Sequence, residues 1–483
     1  MKKTLLHLCA LSLALASTVA QAGKADNTLV IGDSDEIVSF DKYYTNDRIS
    51  IVIANLIYDT LVYKDPQTGK ILPSLATAWR WVNPETLELD LRAGVRFHDG
   101  EAFDADDVVY TFSQVIDPAN KIQTASVVSW IKSVKKTGPM QVQISTKGPA
   151  PAALQFLSGP LPIYGKDYYS KVGPEGMHKK PIGTGPYKVV RFVQGEVTEF
   201  ERNEQYWTGG PRKAPAIAKL KLRTITDPNT QLAELMAGGL DWMWKLTKDQ
   251  SQALAAAPGL VVKSAETMRI GYLSMDVAGK GGKNPFQNLA VRQAISHAIN
   301  REAIVKQLLG EGASVLNAPC FPKQFGCTQD VRKYAYDPKK AQQLLAEAGY
   351  PNGFEVTLGG SRDRELAEAM ASDLRKVGIK TQLTFGQYAP ILAQKRSGKL
   401  QFSFMTWGSL SVNDTSASTS AFFTFGDDDS TQDAQTRDFL KVADTSVDDK
   451  VRTEHYRKAL TRVADQAFLI PLWTYSTAYA YRK

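Results

Sequence analysis

Apolar and polar positions alternate with two different periods along the second half of the chain. The stretches FEVTL, KTQLTF and QFSFMTW are strand-like, whereas RELAEAMASDLRKVG and APILAQKRSG between them have the apolar spacing of helices. Strands that alternate with helices of this length predict βαβ units and a mixed or parallel sheet covered by helices. Ligands of such sheets bind beyond the carboxyl ends of the strands.

The first half shows the same two periods less regularly. Strand-like TLVIG, TLELDLR and QVQIST surround a helical RISIVIANLIYDTL, and strand-like KLKLRTI precedes a helical NTQLAELMAGG. A further apolar pattern predicts one helix from Asn288 to Gly310. The chain of 483 residues is longer than a single typical domain, and no long Pro/Ser-rich linker divides it. Several interleaved lobes are therefore expected.

Residues 1–22 have the pattern of a secretory signal peptide. Two lysines precede an apolar run from Leu5 to Ala16, and small residues follow up to a cleavage point after Ala22. The run is shorter than the roughly 18–20 residues that cross a bilayer, so no membrane anchor is expected. Cys9 lies inside the run and not at the cleavage point, which argues against a lipid anchor. An unanchored exported chain fits the periplasm best.

Net charge and cysteine content restrict the kinds of binding partner and metal site that are expected. The net charge of +8 is spread along the chain without a Lys/Arg block, so no nucleic-acid partner is expected. After the signal peptide two cysteines remain, Cys320 and Cys327, and in an oxidising compartment this pair predicts a disulfide. A zinc pair is the alternative, but no second Cys or His pair at ligand spacing accompanies it. Neither a metal nor a cofactor is expected.

The stretch FHDGEAFDADDVVYTF, residues 97–112, concentrates one histidine and five acids. Catalysis would need a second carboxylate or histidine from elsewhere, and nothing in the spacing requires one. A structural interpretation accounts for most of the acids, because Asp-Gly supplies a turn and Asp104 can cap a helix whose third residue is Asp107. GTGPY is likewise interpreted as a tight turn, since it lacks the Gly-Lys-Ser/Thr of a phosphate loop. No catalytic residues are expected.

Four blocks of the sequence resemble the family 5 solute-binding proteins, the dipeptide-, oligopeptide- and nickel-binding components of bacterial ABC transporters. The blocks are PSLATAWRWVNPETLELDLRAGVRFHDGEAFDADDVVYTF, PIGTGPYKVVRF, NPFQNLAVRQAISHAINREAIV and YDPKKAQQLLAEAGY, in this order. The resemblance covers nearly the whole chain after the signal peptide. It implies an α/β fold of two lobes that hinge shut on a ligand, with an extra lobe inserted in the first.

The same resemblance implies where the lobes begin and end. The first lobe would comprise residues 24–60, 181–266 and 469–483, the inserted lobe residues 61–180, and the second lobe residues 267–468. The segments SAETMRIGYLSMD and AFLIPLWTY would be the two crossovers between the first and second lobes.

The resemblance places the ligand site around the loop that follows QFSFMTW. Trp407 at the strand end is interpreted as a wall of the site, and the Ser/Thr-rich loop with Ser409 favours hydroxyl- or amide-rich ligands. In the dipeptide binders an aspartate three residues after this tryptophan takes the α-ammonium of the peptide, and here that position is Leu410. Asp414 is expected either to reach the pocket instead or to form an Asx turn.

Two other segments supply candidate ligand contacts. The dipeptide binders place an arginine, which holds the peptide carboxylate, before the helix that here begins near Arg364. Arg362 or Arg364 is the candidate, and a solvent-facing charge is the alternative for either. Tyr44 and Asn46 lie where the N-terminal loop of the family lines the cleft.

The function that the resemblance implies is capture of a small polar organic solute in the periplasm and its delivery to an inner-membrane ABC permease. The chain is expected to be a monomer. A peptide or modified peptide, an oligosaccharide and an opine-like conjugate all stay open as ligands. The alternatives are a sensor that presents its ligand to a membrane receptor and, less favoured, a secreted enzyme on the same fold.

Overall fold

The structure is a computed structural model that describes residues 26–45 and 47–483. The predicted signal peptide and Asn46 therefore lie outside the described residues. Within these ranges, none of the helices combines the length and the apolar character that a bilayer crossing requires.

The strands of the described part are β1 (Thr28–Asp33), β2 (Val62–Lys64), β3 (Ile71–Pro73), β4 (Ala76–Asn83), β5 (Thr86–Leu91), β6 (Ile131–Gly138), β7 (Gln141–Thr146), β8 (Tyr187–Val193), β9 (Val197–Arg202), β10 (Lys219–Thr224), β11 (Trp242–Trp244), β12 (Leu260–Met275), β13 (Glu355–Gly360), β14 (Lys380–Phe385), β15 (Phe402–Trp407) and β16 (Leu469–Arg482). The α-helices are α1 (Arg48–Ile57), α2 (Ala105–Ile116), α3 (Ala153–Leu157), α4 (Lys166–Lys179), α5 (Pro228–Ala237), α6 (Lys248–Ala255), α7 (Leu289–Ala298), α8 (Arg301–Ile304), α9 (Pro338–Glu347), α10 (Arg364–Lys376), α11 (Tyr388–Arg396), α12 (Ser416–Phe423), α13 (Ala434–Thr445) and α14 (Asp449–Asp465).

One mixed sheet runs through most of the molecule. Its strand order is β14-β13-β15-β12-β16-β11-β1-β10-β9-β8. β13 is parallel to β14 and β15, and β1 is parallel to β10 and β11. This confirms the βαβ units and the mixed sheet predicted from the periodicity. A separate antiparallel sheet, β4-β5-β7-β6, and the β2-β3 hairpin lie in the segment predicted to be an inserted lobe.

Two long strands join the halves of the large sheet. β12 and β16 pair antiparallel from Leu260 opposite Arg482 to Ser274 opposite Leu469. β16 also pairs with β11 at one end, and β12 pairs with β15 at the other. They contain the segments expected to cross between the lobes. The lobe boundaries themselves stay predictions.

The apolar core consists of separate clusters in the two halves of the molecule. One cluster of buried residues extends from Ile37 to Leu222 and so joins the predicted first and inserted lobes. Two further clusters occupy opposite faces of the sheet around β12 and β15. Because the two faces are covered by different helices, residues that alternate along β15 belong to different cores.

The prediction of one helix from Asn288 to Gly310 is wrong. Helix α7 ends at Ala298 and α8 starts at Arg301. Asn300 interrupts the pattern, since its side chain accepts the N–H of Ala303 and caps the new helix. A residue that caps a helix competes with a continuous helix, and the apolar spacing alone does not show the competition.

The acidic stretch is structural in the described residues, as the sequence predicts. Asp104 accepts the N–H of Asp106 at 2.7 Å, and the Asp107 carboxylate accepts the N–H of Asp104 at 2.9 Å. The result is a capping box at the start of α2, whose Val108 and Phe112 are fully buried.

The disulfide prediction is confirmed. Cys320 and Cys327 are bonded, with their Cα atoms 5.9 Å apart. Cys320 is buried beside Ala318 and Leu460. The bond closes a loop that packs on α14.

His98 fixes the turn formed by GTGPY. The N–H of Gly183 donates to Nδ1 of His98, so the Nε2–H donates to the carbonyl of Gly185 at 2.9 Å. A Cβ at Gly183 would lie 2.2 Å from the carbonyl oxygen of Ile57, which explains why glycine is needed there. Burial, aided by the charge of Lys188, lowers the pKa of His98 from 6.5 to about 4.

This lowered pKa makes a testable contribution to stability. When the pH falls below 6.5, the unfolded chain takes up a proton at His98 before the folded chain does. The stabilisation by neutral His98 is thus complete above the unfolded pKa and is lost as the pH falls towards 4. In His98→Gln, an amide N–H replaces the Nε2–H and does not titrate.

We expect the free energy of unfolding of the wild-type protein, relative to His98→Gln, to fall by about 2 kcal/mol between pH 7 and pH 5. Urea unfolding of both proteins at the two pH values measures the difference. Other groups titrate equally in both proteins and cancel. A difference that is independent of pH would contradict the neutral, buried histidine.

Candidate functional site

β15 is an inner strand of the large sheet and lies between β13 and β12. Because strand side chains alternate, Thr406 and Trp407 face opposite sides of the sheet. The Trp407 indole N–H donates to the carbonyl of Ala417 at 2.6 Å, and its ring meets Phe422 edge to face at 5.3 Å. One side of Trp407 is therefore anchored in the core, and its role as a wall for ligand stays a prediction.

The turn after Trp407 has an unusual backbone. Ser409, Leu410 and Ser411 have φ values of 54°, 47° and 60°. Left-handed conformations of non-glycine residues cost of order 1 kcal/mol or more each and persist only where the surroundings impose them. Leu410 packs against the core shared by the first and inserted lobes, and the Lys64 ammonium donates to the carbonyl of Ser411. The turn thus joins the second half of the chain to the first.

Asp414 lies in a buried network. Its carboxylate pairs with Arg452 at 2.7 Å and accepts the hydroxyl of Tyr456 at 3.0 Å. It also accepts the N–H and the hydroxyl of Ser416, which is the Asx turn anticipated as an alternative. The side chains of Asp414 and Arg452 are 3% and 4% exposed. This placement favours a structural role for Asp414 over contact with a ligand.

The disulfide loop supports the same segment. The amide of Gln324 donates to the carbonyl of Val412 at 2.8 Å, and the hydroxyl of Thr415 donates to the carbonyl of Phe325 at 2.7 Å. The loop closed by the disulfide therefore fixes the backbone that follows the left-handed turn. Nothing local in the sequence signals this contact, since almost 90 residues separate its two sides.

Three arginines from different parts of the chain lie close enough for their charges to act on one another. Arg269 on β12 donates from Nη1 to the Thr406 hydroxyl at 2.8 Å. Burial, together with the charges of Arg362 and Arg48, lowers the pKa of Arg269 to about 10, so it is still cationic at neutral pH. Burial and the charge of Arg362 likewise lower the pKa of Arg48. The three residues Arg48, Arg269 and Arg362 are called the arginine cluster below.

A bulge in the longest strand pair places Arg269 in the cluster. β12 and β16 are in register up to Glu266 opposite Ser476, and the register resumes with Ile270 opposite Thr474. Three residues of β12, ending with Arg269, therefore face the single residue Tyr475. Bulges redirect side chains and are common beside functional sites.

The arginine cluster has few acidic neighbours free to neutralise it. Asp363 already accepts the hydroxyl of Tyr475 at 2.9 Å and Nε of Arg362 at 3.2 Å. Asp33 and Asp35 each bind the ammonium of Lys245, at 2.7 and 2.6 Å. Among the described residues, neither Arg48 nor Arg269 forms an ion pair.

Arg48 and Arg362 approach the cluster from opposite sides. The Arg48 guanidinium, at the start of α1, lies 4.7 Å from the ring centroid of Trp244. Arg362 lies in the turn between β13 and α10, and 49% of its side chain is exposed. A ligand between them would contact both halves of the chain.

Arg364 has a different environment. Its Nε lies 3.0 Å from Glu368 one helical turn further on, and both side chains are more than half exposed. Its guanidinium also lies 5.4 Å from the ring of Phe385. An exposed pair of this kind is a surface feature of α10, so Arg362 is the better candidate for a ligand contact.

Tyr44 lines a separate cavity of about 200 Å³. The other walls include Tyr110 and Gln114 of α2 and Tyr169 of α4. None of the arginine cluster lines this cavity. Asn46, the neighbouring candidate, lies outside the described residues.

The sequence did not single out Arg48 or Arg269 as candidate site residues. Arg269 carries the one usable signal, a cation inside the otherwise apolar stretch MRIGYLSM. Arg48 resembles any exposed residue at a helix start, and its neighbour Trp244 is close only through the pairing of β1 with β11. Within the described ranges, no three His, Cys, Asp or Glu side chains are grouped so that they could hold a metal ion.

Removing Arg452 tests the network around Asp414. Arg452→Met leaves a buried carboxylate without its cation and should lower the free energy of unfolding by about 3–5 kcal/mol. Arg457→Met is the matched control on the same helix, because Arg457 pairs with Glu454 at the surface. Chemical denaturation measures both. An Arg452→Met protein as stable as the control would contradict the structural role of Asp414.

Comparison with known proteins identifies the relatives of this architecture. A glutathione-binding protein, GsiB of Pectobacterium atrosepticum, is 30% identical over 383 residues, which cover 76% of this chain and 71% of the relative. Among solved structures, the periplasmic binding protein DppA of Helicobacter pylori in complex with the peptide STSA has a TM-score of 0.81 and 27% identity, covering 94% of both chains. AgaA of A. tumefaciens R10, in complex with agropinic acid, has a TM-score of 0.79 and 25% identity, covering 94% of this chain and 93% of AgaA.

The family model of the bacterial extracellular solute-binding proteins, family 5, matches residues 70–430. This match spans most of the chain and includes the antiparallel sheet β4-β5-β7-β6, the disulfide loop, and the turn and helix α12 that follow β15. The named relatives are transport binding proteins and not enzymes. The chain therefore belongs to the family 5 extracellular solute-binding proteins, with their two-lobed α/β fold and their role in solute capture for transport.

Proposed function

We propose that the protein captures a peptide-like anionic solute in the periplasm, between two closing lobes, and releases it to an inner-membrane ABC permease. The observation that carries this proposal is the arginine cluster. It brings together cations of α1, β12 and the β13–α10 turn at the carboxyl end of the central strands. Arg48 and Arg269 are partly buried and form no ion pair among the described residues. Such arginines bind carboxylates well, because the guanidinium offers paired donors.

The ligands of the relatives support this class of solute. GsiB is named for glutathione, DppA was solved with a peptide, and AgaA with agropinic acid. A small peptide such as glutathione is accordingly the first candidate. An opine-like conjugate is the second, favoured by the likeness to AgaA. No contact in the described residues favours an oligosaccharide.

The proposed ligand contacts are Arg362 from the second half of the chain and Arg48 from the first. Ser409 is proposed as a neighbour of the ligand at the end of β15. Trp407 stays a candidate wall of the site, although its ring faces the opposite side of the sheet from Thr406. Tyr44 and Asn46 stay candidates for an extended ligand that reaches the N-terminal loop. Arg364 and Asp414 are proposed to have structural roles.

The solute is proposed to be captured when the two lobes close around it. Leu410 and Ser411 already contact residues of the first half of the chain, so this turn is placed to follow the closing movement. Closure expels water, and the lower dielectric constant strengthens each charge contact with the solute. The proposed lobes are residues 24–60, 181–266 and 469–483, residues 61–180, and residues 267–468.

The proposal includes export and a monomeric state. Residues 1–22 would direct secretion and be removed after Ala22. Size-exclusion chromatography with light scattering tests the monomer, and N-terminal sequencing of the periplasmic protein tests the cleavage point.

A thermal-shift experiment tests the function directly. The purified exported protein is unfolded and refolded to remove any bound solute, and glutathione, Met-Leu and an oligosaccharide are then added separately. A ligand at about 100 times its Kd should add about 2.7 kcal/mol of stability. Native mass spectrometry before refolding should show the corresponding adduct. Stabilisation by the oligosaccharide alone would overturn a peptide-like ligand.

A further inference from the structure

The arginine cluster is unusual in the number of cations that converge, because a zwitterionic peptide brings only one carboxylate. Arg269 and Arg362 belong to the predicted second lobe, where the carboxylate of Asp363 acts on both. Arg48 and Lys245 belong to the predicted first lobe, together with Asp33 and Asp35. Four cations thus face three carboxylates. The site carries an excess of positive charge before any ligand binds.

The acids in this region are also poorly placed to receive an ammonium group. Asp33 is 1% exposed, and both of its oxygens are occupied by Lys245 and the Trp244 indole N–H. The position three residues after Trp407 is Leu410, which packs into the core. Asp414 is closed off by Arg452. Carboxylates on a ligand therefore find more partners here than ammonium groups do.

We propose that Arg48 and Arg269, together with Arg362, form a specificity subsite that selects a ligand with two carboxylates. This inference rests on the proposed function and specifies the solute class. The bulge turns Arg269 towards the cluster, the ring of Trp244 supports Arg48, and Thr406 holds Arg269 through its hydroxyl. One carboxylate bridges Arg48 and Arg269 across the junction of the lobes. The second binds the more exposed Arg362.

The subsite also explains why closure depends on the solute. Arg48 and Arg362 repel each other while the site holds no anion, and the charge of Arg362 adds to burial in lowering the pKa of Arg48. A ligand with two carboxylates replaces this repulsion by attraction on both sides. A solute with one carboxylate neutralises only part of it. Selectivity for charge and stability of the closed form thus have the same physical origin.

The test varies the ligand and the protein in parallel. S-methylglutathione is the probe, because it keeps two carboxylates and one ammonium and has no free thiol to attack the disulfide. Its glycine amide lacks one carboxylate but has the same size. The variants are Arg48→Gln and Arg269→Gln, with Arg364→Gln as a control that removes a neighbouring cation outside the cluster. Isothermal titration calorimetry gives the Kd of each pair.

The wild-type protein should bind S-methylglutathione at least 10-fold more tightly than the amide. Arg48→Gln and Arg269→Gln should each weaken S-methylglutathione roughly 10- to 100-fold and reduce its advantage over the amide. Arg364→Gln should change neither Kd by more than about two-fold. Circular dichroism spectra and melting curves of all variants show whether each is folded.

Three results would overturn the subsite. These are equal affinity of the wild-type protein for the two ligands, cluster variants that behave like Arg364→Gln, and no binding of S-methylglutathione. Titration with Met-Leu distinguishes failure of the subsite from failure of peptide capture. If Met-Leu binds while S-methylglutathione binds no more tightly than its glycine amide, the subsite is wrong and peptide capture stands. If neither peptide binds, peptide capture fails as well.

Discussion

The pairing of β12 with β16 is the constraint on which the rest of the molecule depends. These strands are antiparallel neighbours over almost their whole length and carry the sheet from β11 on one side to β15 on the other. Both halves of the chain are therefore parts of one hydrogen-bonded structure. The irregularity in the middle of the pair, where three residues of β12 oppose Tyr475, places Arg269 at the junction. The proposed hinge and a proposed ligand contact then occupy the same few residues.

The second constraint is the repulsion among the like charges of the arginine cluster, which the packing of the chain brings near one another. Burial, together with the charges of Arg362 and Arg48, lowers the pKa of Arg269 to about 10, so its charged form is disfavoured in the protein alone. Charged groups with perturbed pKa values cluster at functional sites, which supports a role for these arginines in binding. The buried pair of Asp414 and Arg452 is the opposite case, because each charge is satisfied within the protein. The arginine cluster is therefore the proposed ligand surface, and the Asp414–Arg452 pair is part of the structure beside it.

The sequence predicted correctly those features that residues close together in the chain determine. The capping box at Asp104, the βαβ alternation from β13 to β15 and the disulfide between Cys320 and Cys327 all follow from residues near one another in sequence. The break at Asn300 was missed because a cap and a helix interior share the same apolar spacing. The arginine cluster was missed because it is made by strand pairing over more than 200 residues, which no local pattern encodes. Arg362 was found only through the resemblance to the family.

A crystal structure of the protein with S-methylglutathione would show whether the arginine cluster binds the ligand. One carboxylate should lie within hydrogen-bonding distance of both Arg48 and Arg269, with the second carboxylate at Arg362 and the ligand enclosed between the two halves of the chain. A ligand bound instead in the cavity beside Tyr44 and Tyr169, with the three arginines free of it, would contradict the account.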